Sequence, residues 1–141
     1  MVAAGRSARV AFALALTVGL AVLGGDGARA AAETPIPEAP ARWVTDAASF
    51  LSPATARALD ERLARYATDT GHQVLVYVDR TTGGAPIEDW AARAFARWKV
   101  GRHGIDDGLV LFIFGDDRHL RIEVGYGLED RVTDLVASHV I

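Results

Sequence analysis

The sequence contains no cysteine in its 141 residues. This absence excludes disulfide bonds, zinc sites built from thiolates, a cysteine nucleophile and a lipid-modified cysteine. We therefore expect no disulfide partner and a fold that is stabilised by its apolar core alone. The hydrophobic content of 50% is enough for such a core, and the length suits one small domain.

Basic residues are also scarce, with 15 Lys and Arg against 18 Asp and Glu. Three of the basic residues and one acidic residue lie in positions 1–30, so residues 31–141 hold 12 basic and 17 acidic residues, a formal net charge of −5. A domain of this charge repels phosphate backbones, and we expect no nucleic-acid partner. The same charge is compatible with a cation site.

Residues 1–30 have the order of a secretory signal peptide. Arg6 and Arg9 form a basic start, an uncharged apolar stretch follows, and Ala28 and Ala30 supply the small residues that a signal peptidase reads. The apolar stretch is shorter than the roughly 20 residues that a transmembrane helix needs. We expect cleavage near Ala30 and export to the periplasm or the medium. The alternative is an uncleaved N-terminal anchor, which would still export the domain.

Residues 31–42, AAETPIPEAPAR, are rich in alanine and proline. This composition is typical of an extended, solvated linker. We therefore expect the folded domain to span residues 43–141.

Two amphipathic helices are predicted from apolar spacing and from their end signals. Ser52 is a good N-cap, Pro53 suits the first helical position, and Gly71 suits a left-handed C-terminus. The second helix is expected over residues 87–99 and begins after Pro86. Thr133 is the expected N-cap of a third helix.

Three strands are predicted, two of them continuously apolar and therefore covered on both faces. These are Gln73–Val78 and Leu109–Phe114. In residues 119–124 apolar and charged residues alternate, which indicates a half-exposed strand in a hairpin with the strand before it. A strand-helix-strand unit crosses over right-handed and pairs in parallel. The predicted fold is therefore α/β, with a mixed β-sheet flanked by helices on both faces.

Acidic residues flank this hairpin in the segments IDDG and GYGLED. Antiparallel pairing places the end of the second strand beside the start of the first. Asp106 and Asp107 are therefore expected to lie near Glu129 and Asp130, and the third helix would bring Asp134 to the same end of the sheet. Clustered carboxylates repel one another unless a proton or a hard cation such as calcium bridges them.

The alternative interpretation is that these acids only cap turns and helix ends. The glycines at 125 and 127 are expected to take positive φ, which would let the backbone turn sharply and aim its carbonyls inward. The opposite end of the sheet carries TTGG at residues 81–84, which could present amides to an anion, although a turn is the simpler explanation.

The segments VTD, DDG, RIEVGYGLE and TD, at this spacing, resemble the TPM domain family from about Trp43 to Ile141. The resemblance implies a mixed sheet between helices, and a protein that is exported or membrane-tethered in bacteria. Chloroplast relatives act in photosystem II repair and have been assigned acid phosphatase activity, and some members bind calcium. Carried over to this sequence, the implied metal ligands are Asp46, Asp106, Asp107, Glu129 and Asp134.

Domains of this family usually continue past the point where this sequence stops, so the resemblance implies that the last helix is truncated. The expected function is an exported TPM-domain module that binds Ca²⁺ or another divalent cation and supports assembly or maintenance of an envelope protein complex. The alternative is a metal-dependent acid phosphatase. A purely structural adaptor, which needs no site, is the third possibility.

Overall fold

The computed structural model describes residues 32–133, which form a four-stranded mixed sheet with one helix on each face. The strands are β1 (Val44–Asp46), β2 (Gln73–Asp79), β3 (Gly108–Phe114) and β4 (His119–Val124), and they lie in the order β1-β2-β3-β4. The helices are α1 (Pro53–Thr70) and α2 (Ile87–Trp98), and a 3₁₀ turn, Tyr126–Leu128, follows β4.

The sheet pairing confirms the predicted mixed topology. β1, β2 and β3 are parallel, and β4 pairs antiparallel with β3 as an edge strand. β1 has only three residues and was not predicted, because so short a segment shows no periodicity. The predicted helix after Thr133 lies outside the described residues.

α1 begins and ends where its sequence signals predict. The Ser52 hydroxyl accepts a hydrogen bond from the amide of Thr55 at 3.1 Å, and Pro53 takes the first turn. Gly71 ends the helix in the left-handed conformation at φ 79. On this face of the sheet Leu59 and Leu63 pack against a small cluster that contains Val76.

α2 covers the opposite face with a larger, aromatic cluster. Trp90 is fully buried, and its ring meets Phe114 edge-on at 5.1 Å between centroids. Tyr77 and Phe112 complete the contact from the sheet. Burial of each large apolar side chain contributes roughly 1.5–3 kcal/mol, so this face holds most of the core. The helix ends at Lys99, which takes the left-handed conformation at φ 51.

Residues 32–43, named here the N-terminal strap, lie against α2 and the loop before it. The amide of Thr34 donates to the carbonyl of Thr82 at 2.9 Å, and Ile36 packs on the α2 cluster. The structure therefore differs from the predicted solvated linker, because this segment is part of the folded domain. Within residues 32–133, no helix is long and apolar enough to cross a membrane.

Candidate functional site

The candidate site is the end of the sheet where β3 begins and β4 ends, named here the glycine end. It consists of residues 101–107, between α2 and β3, and residues 125–130, after β4. Two backbone hydrogen bonds join the segments: Gly125 N–H donates to the Gly108 carbonyl at 2.7 Å, and Gly127 N–H donates to the Asp106 carbonyl at 3.1 Å. The antiparallel pairing thus brings the two predicted acidic segments side by side.

Gly125 and Gly127 are needed for close approach and not for positive φ. Gly125 has φ −70, which any residue adopts, and Gly127 is not among the residues with positive φ. A Cβ on Gly125 would overlap the carbonyl oxygen of Asp106, and one on Gly127 would overlap that of Ile105. The expectation of positive φ at these glycines is wrong, since the two chains pass too close for any side chain.

Asp107 is buried, with 1% of its surface exposed, and both of its carboxylate oxygens accept hydrogen bonds. Oδ1 accepts from the backbone amide of Arg102 at 2.9 Å. Oδ2 accepts from Nε of Arg102 at 2.8 Å and from Nη2 of the same side chain, and it lies 3.1 Å from Nδ1 of His72. Asp107 therefore ties the loop before β3 to the loop before β2.

The hydrogen bonds from Arg102 hold the pKa of the Asp107 carboxyl well below its usual range, because they stabilise the ionised form. The same contact raises the pKa of Arg102. A carboxylate that already has a guanidinium and an imidazole on its oxygens is a poor ligand for a second cation. We therefore assign Asp107 the role of organising the loop.

Asp106, Glu129 and Asp130 are the exposed acids of the glycine end, and Asp130 lies there as the sequence predicted. Asp106 has φ 52, a conformation that Asp tolerates better than most residues, and its carbonyl faces Gly127. Glu129 ends the 3₁₀ turn, where its amide donates to the carbonyl of Tyr126 at 3.3 Å. Asp134 lies outside the described residues.

Asp46 is separated from the other predicted ligands by the length of the sheet. It pairs in register with Val78 at the carboxyl end of β2, whereas Asp107 precedes β3 at the opposite end. Its carboxylate accepts from the amides of Phe50 at 3.1 Å and Leu51 at 2.6 Å, and so caps the loop into α1.

The predicted ligands that the structure describes are therefore not brought together in one site. Of the four that lie within residues 32–133, Asp46 is at the far end of the sheet and Asp107 is held in an ion pair, which leaves Asp106 and Glu129 exposed at the glycine end. Across residues 32–133, no group of three or more His, Asp or Glu side chains is arranged to hold a metal ion.

The TTGG segment at residues 81–84 does not offer the amides that an anion would need. The amide of Thr82 donates to Asp117 at 2.7 Å, and that of Gly83 donates to the Thr81 hydroxyl at 2.9 Å. The backbone hydrogen bond from Thr82 lowers the pKa of Asp117. This contact fixes the loop before α2 to the β3–β4 hairpin.

A groove of about 500 Å³ lies beside the glycine end. It is lined by Phe95 of α2, by Lys99 just after that helix, and by His103, Asp106 and Tyr126. Tyr126 is 80% exposed, which is unusual for so large an apolar ring. The groove therefore offers an aromatic surface next to the exposed carboxylate of Asp106.

The buried polar groups of the described chain are all satisfied, since none of the buried side-chain nitrogens or oxygens in residues 32–133 lacks a hydrogen-bond partner.

Arg102 and His72 are the residues of this end that the sequence did not reveal. Arg102 lies five positions before Asp107, and His72 lies 35 positions before it. Parallel pairing of β2 with β3 places the starts of the two strands side by side, with Gln73 opposite Gly108. This pairing was the one signal that could have placed His72 beside Asp107.

A family model described as TPM domain matches residues 44–141. A solution NMR structure of the N-terminal domain of a P. gingivalis protein is 34% identical, with a TM-score of 0.65, over 71% of this chain and 64% of that one. The NMR structure of BA42 protein from Bizionia argentinensis is 19% identical, with a TM-score of 0.55, over 63% of this chain and 61% of that one, a likeness of fold alone.

The chain thus spans less than two thirds of the length of either solved structure. No curated protein sequence matches it.

Proposed function

The chain belongs to the TPM domain family, and on that premise we propose that it is an exported module that binds a divalent cation at the glycine end and supports assembly or maintenance of an envelope protein complex. The observation that supports this proposal most directly is the backbone pairing of residues 105–107 with residues 125–128. It holds the exposed carboxylates of Asp106 and Glu129 and the exposed Tyr126 at one end of the sheet.

The cation ligands of this proposal are fewer than the sequence predicted. Asp46 and Asp107 do not fit, because their oxygens already accept hydrogen bonds from backbone amides or from Arg102. Asp106 and Glu129 fit, since they are exposed carboxylates of the kind that calcium prefers, and Asp134 stays a predicted ligand outside the described residues. A site with so few charged ligands on flexible side chains binds weakly, at roughly 10⁻⁴–10⁻³ M.

Calcium stabilisation of the folded chain tests this site. At about ten times Kd, a ligand that binds only the folded state adds about 1.4 kcal/mol, which raises the Tm of a domain of this size by several degrees. We expect this shift for the wild type and for Asp69→Asn, an exposed acid at the end of α1. The double variant Asp106→Asn, Glu129→Gln should lose it. An equal shift in all three proteins would contradict the assignment.

The partner surface of the proposal is the groove beside Tyr126. A photo-crosslinking amino acid at Tyr126 is expected to capture an envelope protein, because this ring is 80% exposed beside the groove. The same substitution at Tyr66, a half-exposed tyrosine of α1, is the matched control. Capture of the same proteins from both positions would mean that the groove is not the partner surface.

The metal-dependent acid phosphatase remains the second candidate, and one observation favours it. Nδ1 of His72 lies 3.1 Å from Asp107, the imidazole is 25% exposed, and the Arg102 guanidinium is adjacent. A carboxylate on one ring nitrogen orients the imidazole for proton transfer through the other. Hydrolysis of an aryl phosphate by the wild type and by His72→Gln tests it. Equal rates in both proteins would assign the activity to a contaminant.

A further inference from the structure

The two edges of the sheet differ in how their backbone groups are satisfied. β1, at one edge, has only three residues, and the amide of Val44 donates to Oδ1 of Asp60 on α1 at 2.9 Å. β4, at the other edge, has six residues in unbroken register with β3. Sheets usually protect an edge of this length with proline, lysine or a bulge, and β4 contains none of the three.

The register of β4 shows which of its backbone groups face outward. The N–H of Gly125 donates to the carbonyl of Gly108 at 2.7 Å, so these two residues form a hydrogen-bonded pair. Such pairs alternate with non-bonded pairs along an antiparallel ladder. The N–H and C=O groups of Leu120, Ile122 and Val124 therefore point away from β3, and within residues 32–133 no other segment bonds to them.

The space beside this edge is open. A groove of about 390 Å³ is lined by residues 121–124 of β4 and by Glu129, Val132 and Thr133. The neighbouring sheet surface is aliphatic, since Leu120 is 44% exposed and Ile122 is half-buried. An added strand would satisfy the outward backbone groups and would cover part of this apolar surface.

The side chains of β4 are arranged symmetrically about Ile122. Arg121 and Glu123 flank it on one face of the sheet, where they form an ion pair at 2.8 Å. Leu120 and Val124 are the next residues outward, on the other face. Around a two-fold axis through Ile122, Arg121 would lie opposite Glu123 of a second copy, and Leu120 would lie opposite Val124 of that copy.

Charge selects this register over its neighbours. A two-fold axis through Arg121 would place two arginines opposite each other, and one through Glu123 would do the same with two glutamates. Like charges that are directly opposite destabilise a strand pair, whereas opposite charges stabilise it by roughly 0.2–1 kcal/mol. The edge is thus complementary to a second copy of itself in one register.

We propose that the open edge of β4 is a homodimer interface, at which two copies of the chain pair antiparallel about a two-fold axis at Ile122. The same patch serves both subunits, as a two-fold interface requires, and it joins two four-stranded sheets into one. The occupant is a second copy because the charges of β4 complement their own sequence in reverse. The interface needs no bound cation, so it is independent of the proposed cation site.

The dimer is expected to be weak. A pair of six-residue strands is a small interface, below the roughly 1,200 Å² of total buried surface that is typical of stable complexes. We therefore expect a dissociation constant on the order of 10⁻⁴ M, which is within reach of sedimentation equilibrium and of trapping by a disulfide.

A single introduced cysteine tests the register, because the chain has no cysteine of its own. Ile122→Cys places two thiols at the axis on Cα atoms about 5.5 Å apart, within the range of a disulfide. Leu120→Cys is the matched control, because the two copies of residue 120 would lie about 14 Å apart along the strands. Residue 120 is the more exposed of the two, so random collisions would favour the control.

We expect mild oxidation of residues 31–141 in EDTA to yield at least fivefold more covalent dimer from Ile122→Cys than from Leu120→Cys. Circular dichroism confirms that both variants are folded. Equal yields, or a larger yield from Leu120→Cys, would overturn the proposed register and with it the proposal.

Charge reversal gives a second test without cysteine. Glu123→Arg turns both cross-strand ion pairs into pairs of arginines, so the dimer should weaken at least fivefold in sedimentation equilibrium. The double variant Arg121→Glu, Glu123→Arg restores opposite charges in the same register and should recover the wild-type association. A folded wild type that stays monomeric at about 1 mM, or a dimer that Glu123→Arg leaves unchanged, would overturn the proposal.

Discussion

The two ends of the sheet both carry aspartates but use them for different purposes. At the carboxyl end of the parallel strands, Asp46, Asp79 and Asp117 each accept hydrogen bonds from nearby backbone amides. At the glycine end, Asp107 accepts from the Arg102 side chain and is buried, while its neighbour Asp106 is exposed. Aspartates therefore close loops at the first end. At the glycine end, Asp107 has a structural role, whereas Asp106 has an exposed carboxylate.

This difference shows that a cluster of acids in sequence does not by itself predict a cation site. Backbone amides and arginines compete for the same oxygens, and the structure decides which acids remain free. Four predictions test the contrast between the two ends, and they follow in order of expected effect.

Asp107→Asn should destabilise the protein most, by about 3 kcal/mol. The substitution removes the charge that pairs with Arg102 and changes the acceptors of a buried network. The value lies near the low end for buried pairs, because the Arg102 side chain is 46% exposed. Urea unfolding of both proteins measures the loss. A cost below about 1 kcal/mol would mean that Asp107 is not the residue that organises this end.

Gly127→Ala should cost about 2 kcal/mol, because its Cβ would push residues 105–107 away from the segment after β4. Gly104→Ala is the matched control. Gly104 lies in the same end with open space around it, and only its φ of 78 opposes a side chain, so we expect a loss of about 1 kcal/mol. Equal losses in urea unfolding would show that the two segments are not closely packed.

Lowering the pH should reduce the difference in stability between the wild type and Asp107→Asn. The pKa of Asp107 in the folded state is lowered, so its contribution is complete above the unfolded pKa of about 3.9 and is lost as the pH falls. We expect the gap in free energy of unfolding to narrow by about 1 kcal/mol between about pH 7 and about pH 3. The gap in free energy of unfolding between the wild type and Asp117→Asn should narrow in the same direction, because the pKa of Asp117 is also lowered.

A gap that stays constant over this range would assign the cost of Asp107→Asn to packing instead of charge.

Asp46→Asn should cost about 0.5 to 1 kcal/mol, whereas Asp106→Asn should stay within about 0.5 kcal/mol of the wild type. Asp46 accepts from two backbone amides, and an amide side chain can serve only part of that role. Asp106 is exposed, and Asn tolerates its positive φ as well as Asp does. Thermal unfolding at neutral pH compares the two. A larger loss of stability for Asp106→Asn than for Asp46→Asn would contradict the roles assigned to these two aspartates.

The helices and the hairpin could be predicted because local chemistry determines their limits. Ser52, Pro53 and Gly71 set the ends of α1, and the alternation in residues 119–124 identified the edge strand. These signals lie within a few positions of the structure that they define, so the sequence displays them directly.

The site could be predicted only as a region. Pairing of β3 with β4 correctly joined the two acidic segments, but burial of Asp107 depends on His72 and Arg102, which are contacts of tertiary structure. Asp46 was named with the others only because the family resemblance implied it, and β1, which positions it, was not recognised. A parallel β1 would have assigned it to the opposite end. The packing of the N-terminal strap was also not predicted, since the residues that it contacts lie about sixty positions away in the sequence.

The packing of the strap decides where a recombinant version of this domain should begin. Composition alone suggests a start at Trp43, and that choice would remove the acceptors of two buried indole N–H groups, on Trp90 and Trp98. Each orphaned donor costs roughly 1–3 kcal/mol, a large share of the 5–15 kcal/mol that stabilises most domains. A chain trimmed at the apparent domain boundary would therefore express as a weakened protein, whereas one that starts at Ala31 keeps its full core.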